Sequence, residues 1–530
     1  MNGRARTAKA IPIGLLLLAA LGLPGAVAAD VPQGECAVPQ ASAADATPQV
    51  STAERTSAPE TTPKMSAEAK QLPDPPTAPG SFQCDPAYPR YQAKDELAIY
   101  MGKHLNPTAN PPVNLGLRLY DRGAYAPRPT LLGQKDPIQF HFMAYGDLRT
   151  AFADNDNGNG KPAANGKTYQ SQVATRLNLD LDLNLTPTER IHAFMRPFDK
   201  ITAFTRYDLD GAVRDKFFPE FNTRLITLFF EGDLGNILAG LTGKLRSFDI
   251  PIAGGLVPIF TQNGIWINDA FKGAAIGITA KHSKDLDISN MDLTFFTGQA
   301  DVTSDAFGVG HGSGKIYALA GFADLLKGYM EAGYGYVEAD DKDLSYHNVT
   351  AAFTTRFEGN VSNSVRLIGN FGQKAAVKTA NGLLVLVENS LVSPDPWVLV
   401  PYFNLFAGFG TPQSLARAAD AGGVLGNTGI NFQTDGLTGF PTLDFHGHDT
   451  YGGAGGLEYL FNLNRSVVFE GAVVEPRHST PLVPGAEYAF GASFQQPLNN
   501  AWILRFDGMR GWLDKQRDIF GVRMELRRKF

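Results

Sequence analysis

The sequence predicts an all-β fold: a transmembrane antiparallel up-and-down β-barrel of about eighteen strands, preceded by a disordered N-terminal leader. Three observations predict the barrel. From residue 136 onward, segments in which apolar and polar residues alternate follow one another. Tight turns and longer, more irregular connections alternate between these segments. The last eleven residues, 520–530, form an amphipathic segment that ends on an aromatic residue.

The alternation is clearest in residues 177–185, where leucine occupies every second position and Asn or Asp the others. Successive side chains of a strand point to opposite faces, so such a segment has one apolar and one polar face. A soluble sandwich shows the same alternation, but a second sheet must cover its apolar face. The sequence after residue 110 has hardly any helical pattern and no repeat of fixed period. These features favour a barrel whose apolar face meets lipid.

The turns predict the topology. Short connections are predicted at residues 186–189, 232–235, 283–287, 325–328, 359–363, 393–396, 462–465 and 497–500. Longer connections fall between them, at residues 154–167, 209–221, 247–268, 300–312 and 410–449. Outer-membrane barrels have this alternation, with tight turns on the periplasmic side and longer loops outside. An even number of strands then places both ends of the barrel in the periplasm.

The final segment resembles the closing strand of a known family. Its apolar face is formed by Phe520, Val522, Met524, Leu526 and Phe530, and Arg523 and Glu525 lie on the other face. This pattern resembles the terminal strand of porin-like Gram-negative outer-membrane β-barrel proteins. The resemblance implies that Phe530 is part of the signal read by the barrel assembly machinery. It also implies an outer-membrane location, in contact with lipid and lipopolysaccharide. Arg528 departs from the pattern, and we expect it to reach the headgroups.

The N-terminal part is predicted to contain three segments. Residues 1–29 combine a basic start, an apolar run and a small-residue cleavage site, as a secretory signal peptide requires. Residues 30–85 are rich in Pro, Ala, Thr and Ser, which predicts a disordered periplasmic leader. Residues 86–135 form a short segment with a candidate helix at 91–105, which would plug the barrel, dock at its rim or simply pack. The barrel itself is expected to span residues 136–530.

Composition narrows the class of protein further. The net charge of −6 provides no basic surface of the kind that binds nucleic acid. Mean hydropathy is −0.14, a value that a membrane barrel shares with soluble proteins because only alternate residues face lipid. Cys36 and Cys84 are the only cysteines, and both precede the predicted barrel. An oxidising periplasm favours a disulfide between them over two free thiols.

A barrel of about eighteen strands encloses an aqueous lumen that side chains cannot fill. Charged residues on the polar faces are therefore predicted to line it. The predicted lining residues are Arg176, Asp180, Asp182, Arg356, Glu358, Arg366, Glu470, Arg505, Asp507, Arg523 and Glu525. Rings of charged side chains set pore selectivity, and the mixture of signs argues against a strongly ion-specific pore. The alternative is that most of these residues pair across neighbouring strands and only solvate the wall.

The connection at residues 247–268 is too apolar for a free external loop. A large apolar patch left in water is unusual and normally covers something. As the third long connection, this segment resembles the third loop of porins, which folds inward and narrows the channel. By that resemblance the constriction would be lined by Asp249, Phe260, Gln262, Asn263 and Trp266. A subunit contact or a surface clasp over the barrel mouth is the alternative.

No metal site, cofactor or enzyme chemistry is predicted. His446 and His448 would point the same way in an extended chain and could hold a metal, but a polar loop entering a strand explains them equally well. The acidic stretches at 338–343 and 154–160 are better explained as solvated loops than as calcium sites. The sequence contains no recognisable nucleophile motif and no Cys-x-x-Cys-His haem motif.

These features predict a porin-like outer-membrane channel for the passive diffusion of small hydrophilic solutes. The first alternative is a barrel that serves as a scaffold or conduit for a periplasmic partner or an exported polymer. A TonB-dependent receptor is disfavoured because residues 30–135 are too short and too disordered for a folded plug. A surface adhesin built on the long connection at 410–449 is a further alternative. Porins are often trimers, so the resemblance also suggests a homotrimer.

Overall fold

The computed structural model describes ten stretches of the chain, all within its C-terminal four-fifths. They are residues 111–115, 128–130, 132–135, 141–158, 169–200, 203–211, 214–308, 314–391, 398–462 and 465–530. The predicted signal peptide, leader and candidate helix at 91–105 lie outside them, as do Cys36 and Cys84. These predictions therefore stay predictions.

Nearly all regular structure in these stretches is β-strand. The first strands are β1 (Val113–Leu115), β2 (Arg128–Thr130), β3 (Gly133–Lys135), β4 (His141–Asp156), β5 (Tyr169–Asn184), β6 (Arg190–Met195), β7 (Asp199–Lys200), β8 (Ala203–Asp210), β9 (Lys216–Phe218), β10 (Leu225–Asp233), β11 (Pro251–Thr261), β12 (Ile267–Ser283) and β13 (Ile288–Ala300). The remaining strands are β14 (Gly314–Leu325), β15 (Gly328–Ala339), β16 (Tyr346–Phe357), β17 (Val361–Phe371), β18 (Asn381–Leu391), β19 (Leu399–Thr411), β20 (Ala416–Arg417), β21 (Thr450–Asn462), β22 (Arg465–Pro476), β23 (Glu487–Pro497), β24 (Trp502–Leu513) and β25 (Ile519–Lys529).

Helical structure is minor in these described stretches. One α-helix, α1 (Leu234–Thr242), follows β10. Single-turn 3-10 helices occur at Gln262–Gly264, Asp305–Phe307, Lys342–Leu344 and Ala419–Ala421. Within the stretches given above, no helix is long and apolar enough to cross a membrane.

The strands close into an antiparallel barrel with eighteen wall strands, which confirms the predicted fold. Successive wall strands pair along the chain, and β25 returns to pair with β4. Two wall strands are assembled from shorter pieces. The third contains β6 to β8, and the fourth contains β9 and β10. Strand β20 lies inside the lumen, so β19 pairs directly with β21 in the wall.

The closing seam joins the last strand to the first wall strand. Phe530 exchanges backbone hydrogen bonds with Gly146 of β4, at 3.0 Å in both directions. Strand β4 begins at His141, five residues before Gly146. Over these residues, the edge of β4 that faces away from β25 is paired with β5. The edge that β25 does not reach is occupied by β1, in which Val113 pairs with Ala144.

The faces of the terminal strand agree with the predicted parity. Val522 and Met524 are 54% and 43% exposed on the outer surface, whereas Glu525 is 1% exposed inside. Other wall strands also expose large apolar side chains, such as Phe403 and Phe490. Apolar surface in water costs about 25 cal/mol per Å². The outer surface of the barrel therefore requires an apolar environment.

Most of the predicted short connections are tight turns between wall strands. They are found at residues 186–189, 283–287, 325–328, 359–363 and 497–500, and Asn462 pairs directly with Arg465 at the ends of the predicted connection 462–465. The prediction at 393–396 falls outside the part of the chain that the structure describes. The prediction at 232–235 was wrong, because Asp233 caps α1 there. Its carboxylate accepts a hydrogen bond from the backbone N of Asn236 at 2.7 Å, and the chain returns to the wall at Pro251.

The segment at 247–268 also differs from its prediction. Residues 251–261 form strand β11, which pairs with β10 and β12, so most of this segment is strand. Only its tip, residues 262–266, turns into the lumen, where Trp266 and Gln262 bond to Asn348 and Thr350 on β16. Both prolines of β11 occupy positions that a strand tolerates. Pro251 is the first residue of β11, and Pro258 lies beyond Leu256, the last residue that pairs with β10.

Candidate functional site

The long connection between β19 and β21 folds into the barrel. We call residues 412–449 the inward loop. Its strand β20 pairs in parallel with the start of β12, through Ile267 and Ala416. Leu415, Leu425 and Leu443 of the inward loop are buried in the main hydrophobic cluster, together with side chains of the wall. The inward loop is therefore the segment that narrows the lumen.

Apolar packing fixes one side of the inward loop. Trp266, just before β12, is 1% exposed and packs edge-on against Phe296, with ring centroids 6.3 Å apart. Its indole Nε1 donates to Oδ1 of Asn348 on β16 at 2.7 Å. Phe432 of the inward loop meets Phe406 of β19 edge to face at 6.0 Å. Such aromatic side chains bury large areas, so this side of the inward loop is held firmly.

One carboxylate on β22 holds the centre of the inward loop. Glu470 is 1% exposed and accepts from the backbone N of Ile430 at 3.0 Å and of Asn431 at 2.8 Å. It also accepts from the Tyr402 hydroxyl at 2.6 Å. A Cβ at Gly429 would lie 2.5 Å from Oε2 of Glu470, so this close approach requires glycine. Hydrogen bonds of this number satisfy a buried charge.

The inward loop also reaches the opposite wall. The carbonyl of Thr438 accepts from Nδ2 of Asn155 on β4 at 3.1 Å and from Nε2 of Gln172 on β5 at 2.7 Å. Leu437 is buried in a small cluster with Ala151 of β4 and with residues of the neighbouring strands. The inward loop thus crosses the lumen from β12 to β4.

A cavity of about 300 Å³ lies between the inward loop and the wall strands β4, β5 and β23 to β25. Its charged lining consists of Arg149, Arg176, Arg196, Arg505, Arg523, Arg527, Asp420, Asp435 and Asp507. Six arginines and three aspartates reach the lining, and three further carboxylates, Asp147, Asp199 and Glu525, pair with lining arginines from behind it. This cavity is the candidate functional site, and we call it the arginine cavity.

Three arginines of the arginine cavity lie side by side on adjacent strands. Arg527 of β25 is directly opposite Arg149 of β4, which is directly opposite Arg176 of β5. Like charges placed opposite each other destabilise a sheet, so this row needs compensation. Carboxylates beside the row provide it, in the pairs Arg149–Asp147 at 2.8 Å, Arg176–Asp199 at 2.7 Å and Arg527–Glu525 at 2.9 Å.

An interruption of the third wall strand contributes to the same site. Between β6 and β8 the chain leaves the wall, and Asp199 in β7 pairs back onto Phe204 of β8. This interruption brings Arg196 beside Asp420 of the inward loop, with Nη1 and Oδ2 2.5 Å apart. Burial alone would raise the pKa of Asp420, but the nearby Arg196 charge outweighs it, and the pKa of Asp420 is lowered. An ion pair therefore links the wall to the inward loop.

The predicted lining residues occupy several different environments. Arg176, Arg505, Asp507 and Arg523 line the arginine cavity. Glu525 lies behind it and pairs with Arg523 and Arg527. The remaining predictions are at other sites.

Glu470 holds the inward loop, and Arg366 donates from Nη1 to the carbonyl of Gln262 at 2.7 Å, which supports the turn before β12. Asp180 and Asp182 lie beside His192. Arg356 and Glu358 are exposed next to the turn after β16.

Of the five residues predicted to form a constriction, three lie together and two lie elsewhere. Asp249 is exposed in the connection before β11, and Phe260 is 60% exposed at the far end of that strand. Gln262, Asn263 and Trp266 lie at the turn between β11 and β12. They support the inward loop, since the Asn263 carbonyl accepts from one of its asparagine side chains at 2.8 Å.

The two histidines of the inward loop lie where it returns to the wall. His446 Nδ1 is 2.7 Å from Oδ1 of Asp444, and His448 Nε2 is 3.2 Å from Nε2 of Gln413. Among the residues that the structure describes, no group of three or more His, Cys, Asp or Glu side chains is arranged to hold a metal ion. The hydrogen bonds of these histidines support the inward loop.

The fold and the site define a class of architecture: a closed antiparallel barrel of eighteen strands, narrowed by one inward loop beside an arginine-rich cavity. Similar solved structures include three from Pseudomonas aeruginosa, each covering 73% of this chain and 98% of its own. They are OccK5 (OpdH), with 12% identity and a TM-score of 0.47; OccK9 (OpdG), with 11% and 0.48; and OpdK with vanillate, with 11% and 0.49. At these values the likeness assigns neither a family nor a solute. No protein-family model and no curated protein matches the sequence.

Proposed function

We propose that this protein is an outer-membrane channel through which small hydrophilic solutes diffuse passively, with a preference for anions. The observation that carries the proposal is the arginine cavity, which lies inside a closed barrel between the wall and the inward loop. A partly open cavity of about 300 Å³ suits a small solute and not a folded partner or a polymer. The scaffold or conduit alternative is therefore the weaker one.

The location follows from the surface of the barrel. The outer face exposes aromatic and aliphatic side chains, as a lipid-facing wall requires, and closure leaves no unpaired sheet edge along most of it. The secretory signal expected at residues 1–29 and the aromatic end at Phe530 support the outer membrane of a Gram-negative cell. Lipid and lipopolysaccharide are then the surroundings of the barrel, and the assembly machinery reads Phe530. A homotrimer and a Cys36–Cys84 disulfide remain predictions.

The charges of the arginine cavity support the preference for anions. Arginine forks bind carboxylate and phosphate oxygens in pairs and stay charged at any physiological pH. Their side chains are only partly exposed here, from 9% at Arg523 to 28% at Arg149, so they stay fixed beside the pathway. The neighbouring carboxylates moderate the attraction, which allows a bound anion to leave again.

Planar-bilayer recording tests this proposal. Purified protein is expected to give discrete conductance steps and, in a salt gradient, a reversal potential that indicates anion preference. Changing Arg149, Arg176 and Arg527 to Gln together should lower the anion-to-cation permeability ratio by at least about fivefold, because even one nearby charge is worth on the order of 1 kcal/mol. The exposed Arg356→Gln variant is the matched control and should keep the ratio of the unmodified protein. Absence of conductance steps, or an unchanged ratio in the triple variant, would contradict the proposal.

The histidines of the inward loop predict a pH dependence. Burial, helped by the charge of His446, lowers the pKa of His448 to about 4. The charges nearest to it are those of His446, Asp444 and Asp305. Because this pKa is below the ordinary value of 6.5, protonation opposes docking, and stability is lost as pH falls between these two values.

The two neighbours of His448 act outside this interval. Burial would lower the pKa of His446, but its hydrogen bond to Asp444 raises it, so its contribution is lost as pH rises above 6.5. Burial would raise the pKa of Asp444, but His446 lowers it, so that contribution is lost only below the ordinary value of 3.8.

We therefore expect open-channel current noise and mean conductance to rise on acidification between about pH 6.5 and about pH 4. His448→Gln should remove this rise, whereas the exposed His478→Gln should keep it. Bilayer recordings at stepped pH measure both variants. A rise of the same size in His448→Gln would show that another group is responsible.

A further inference from the structure

The barrel wall is incompletely paired between β10 and β11. Their ladder covers six residue pairs and ends at Leu228 and Leu256. The following stretch of β11, residues 257–261, has no backbone partner toward β10 among the described residues, although it pairs with β12 on its other edge. By comparison, β14 and β15 pair over twelve residues. We call this unpaired region the β10–β11 seam.

The seam exists because the residues before β10 bond to the third wall strand and not to β11. The backbone N of Asn222 donates to the carbonyl of Pro197 at 2.8 Å, and that of Glu220 to Oγ1 of Thr205 at 3.0 Å. Both bonds tie residues 219–224 to the interrupted third wall strand. These residues therefore cannot extend the ladder between β10 and β11 beyond Leu228 and Leu256.

The side chains that flank the seam differ in their exposure. Val257 and Phe229 are 4% and 9% exposed and face the interior. Phe260 and Phe221, at 60% and 75%, are exposed on the two sides of the seam. The buried Oγ1 atom of Thr227 has no hydrogen-bond partner among the described residues. Side-chain packing without a ladder can open by rotamer changes, whereas the fully paired seams would have to break backbone hydrogen bonds.

The seam adjoins the arginine cavity. Arg196, which follows β6 on one side, and Asn268, which pairs with Phe260 on the other, both line that cavity. An unpaired strand edge is costly in hydrocarbon because lipid satisfies no N–H or C=O group. An edge that faces water or a ligand escapes this cost. The seam thus places a stretch of wall without a backbone ladder beside the arginines of that cavity.

We propose that the β10–β11 seam is a lateral portal for an amphiphilic anion. The anionic head, a carboxylate on an alkyl chain, binds at Arg196 and the neighbouring arginines, while the chain passes between Thr227 and Val257 to the outer surface of the barrel. The inference uses the arginine cavity but does not require that hydrophilic solutes cross the membrane. It therefore goes beyond the proposed channel and can fail independently of it.

Photolabelling tests the portal. Full-length protein in phospholipid vesicles is exposed to a long-chain carboxylate with a diazirine in mid-chain, and labelled residues are identified by peptide mass spectrometry. We expect label on the inward-facing Val257, Ile259 or Thr227. A trimethylammonium probe with the same chain is the control and should label them roughly tenfold less, the effect of losing one charge-assisted hydrogen bond. Arg196→Gln should reduce the carboxylate labelling similarly.

A clamp provides the second variant. Thr227→Cys with Val257→Cys, in a background of Cys36→Ser and Cys84→Ser, places a disulfide one step beyond the last pair of the ladder. The oxidised clamp should abolish labelling of Ile259, and reduction should restore it. Val257→Trp fills the seam without a disulfide and should have the same effect as the oxidised clamp.

Three results would overturn the portal: label confined to the outward residues Phe221 and Phe260, equal labelling by both probes, or labelling of Ile259 that neither clamp nor filler reduces. Bilayer conductance of the same samples separates the two proposals. A clamped protein that conducts normally but loses the label supports both. A protein that takes the label but never conducts supports the portal and contradicts the channel.

Discussion

Replacing residues 413–447 by a Gly/Ser turn of about four residues is expected to raise single-channel conductance roughly fivefold or more, because a barrel of this strand number is an open aqueous channel without a filler. The design is feasible because the flanks of the inward loop are adjacent. Asp449 N donates to the carbonyl of Gly410 at 3.0 Å, and Gly410 N to Oδ1 of Asp449 at 2.9 Å. A short turn can therefore join β19 to β21 without disturbing the wall.

The matched control replaces residues 340–343, an exposed acidic tip between β15 and β16, by Gly and Ser. It changes an external loop of the same barrel but leaves the lumen intact. We expect its conductance to equal that of the unmodified protein. If removal of the inward loop left conductance unchanged, the inward loop would not be the constriction. If both replacements raised conductance equally, the increase would come from changes to the loops at the barrel mouth and not from removal of a constriction.

Glu470→Ala is expected to release the centre of the inward loop. The substitution leaves the Tyr402 hydroxyl and two backbone N–H groups, of Ile430 and Asn431, without an acceptor. Each buried unsatisfied group costs about 1–3 kcal/mol, so docking should weaken by several kcal/mol. Hydrogen exchange at Ile430 and Asn431 should accelerate by two orders of magnitude or more, since about 1.4 kcal/mol is tenfold. Conductance should become noisy and higher on average.

Glu475→Ala is the matched control for Glu470. It lies on the same strand and pairs with Tyr451 and Tyr488, away from the inward loop. Its removal should leave the exchange rates of the inward loop and the conductance unchanged. Slow exchange at Asn431 in Glu470→Ala would show that apolar packing alone keeps the inward loop docked. Glu470→Gln keeps one acceptor oxygen and should give an intermediate result.

The fold could be predicted because strand alternation is local. Residues 177–185 and the terminal strand carry their two faces in their own sequence, and the alternation of turns and loops added the topology. Strand β11 was missed because it contains Pro251 and Pro258 in an uninterrupted apolar run, a pattern that favours a buried loop over a strand. Whether this segment is a strand of the wall depends on its pairing with β10, and no local sequence pattern shows that pairing.

The candidate site was only partly predictable. Arg176, Arg505 and Arg523 were found because they alternate with apolar residues in regular strands. Arg196 was missed because it lies where the third wall strand is interrupted. The place of this interruption is determined by the pairing of β5 with β6 and then with β8, which the local sequence does not show.

The inward loop did carry a usable signal. Residues 412–449 include Leu415, Leu425, Phe432 and Leu443, which are too apolar for a free loop of that length. The same criterion was applied to residues 247–268. The inward loop can be told from a wall strand only by knowing which apolar stretch pairs with its neighbours in the wall. That pairing depends on contacts distant in sequence.

The position of β1 determines an order of events during biogenesis. Its binding edge on β4 begins where the main chain of Phe530 ends, so β1 has a defined place only after the C-terminal strand has arrived. A nascent barrel that still lacks β25 has a longer vacant edge on β4, and nothing fixes β1 at its lower end. We therefore expect β1 to be among the last strands to dock.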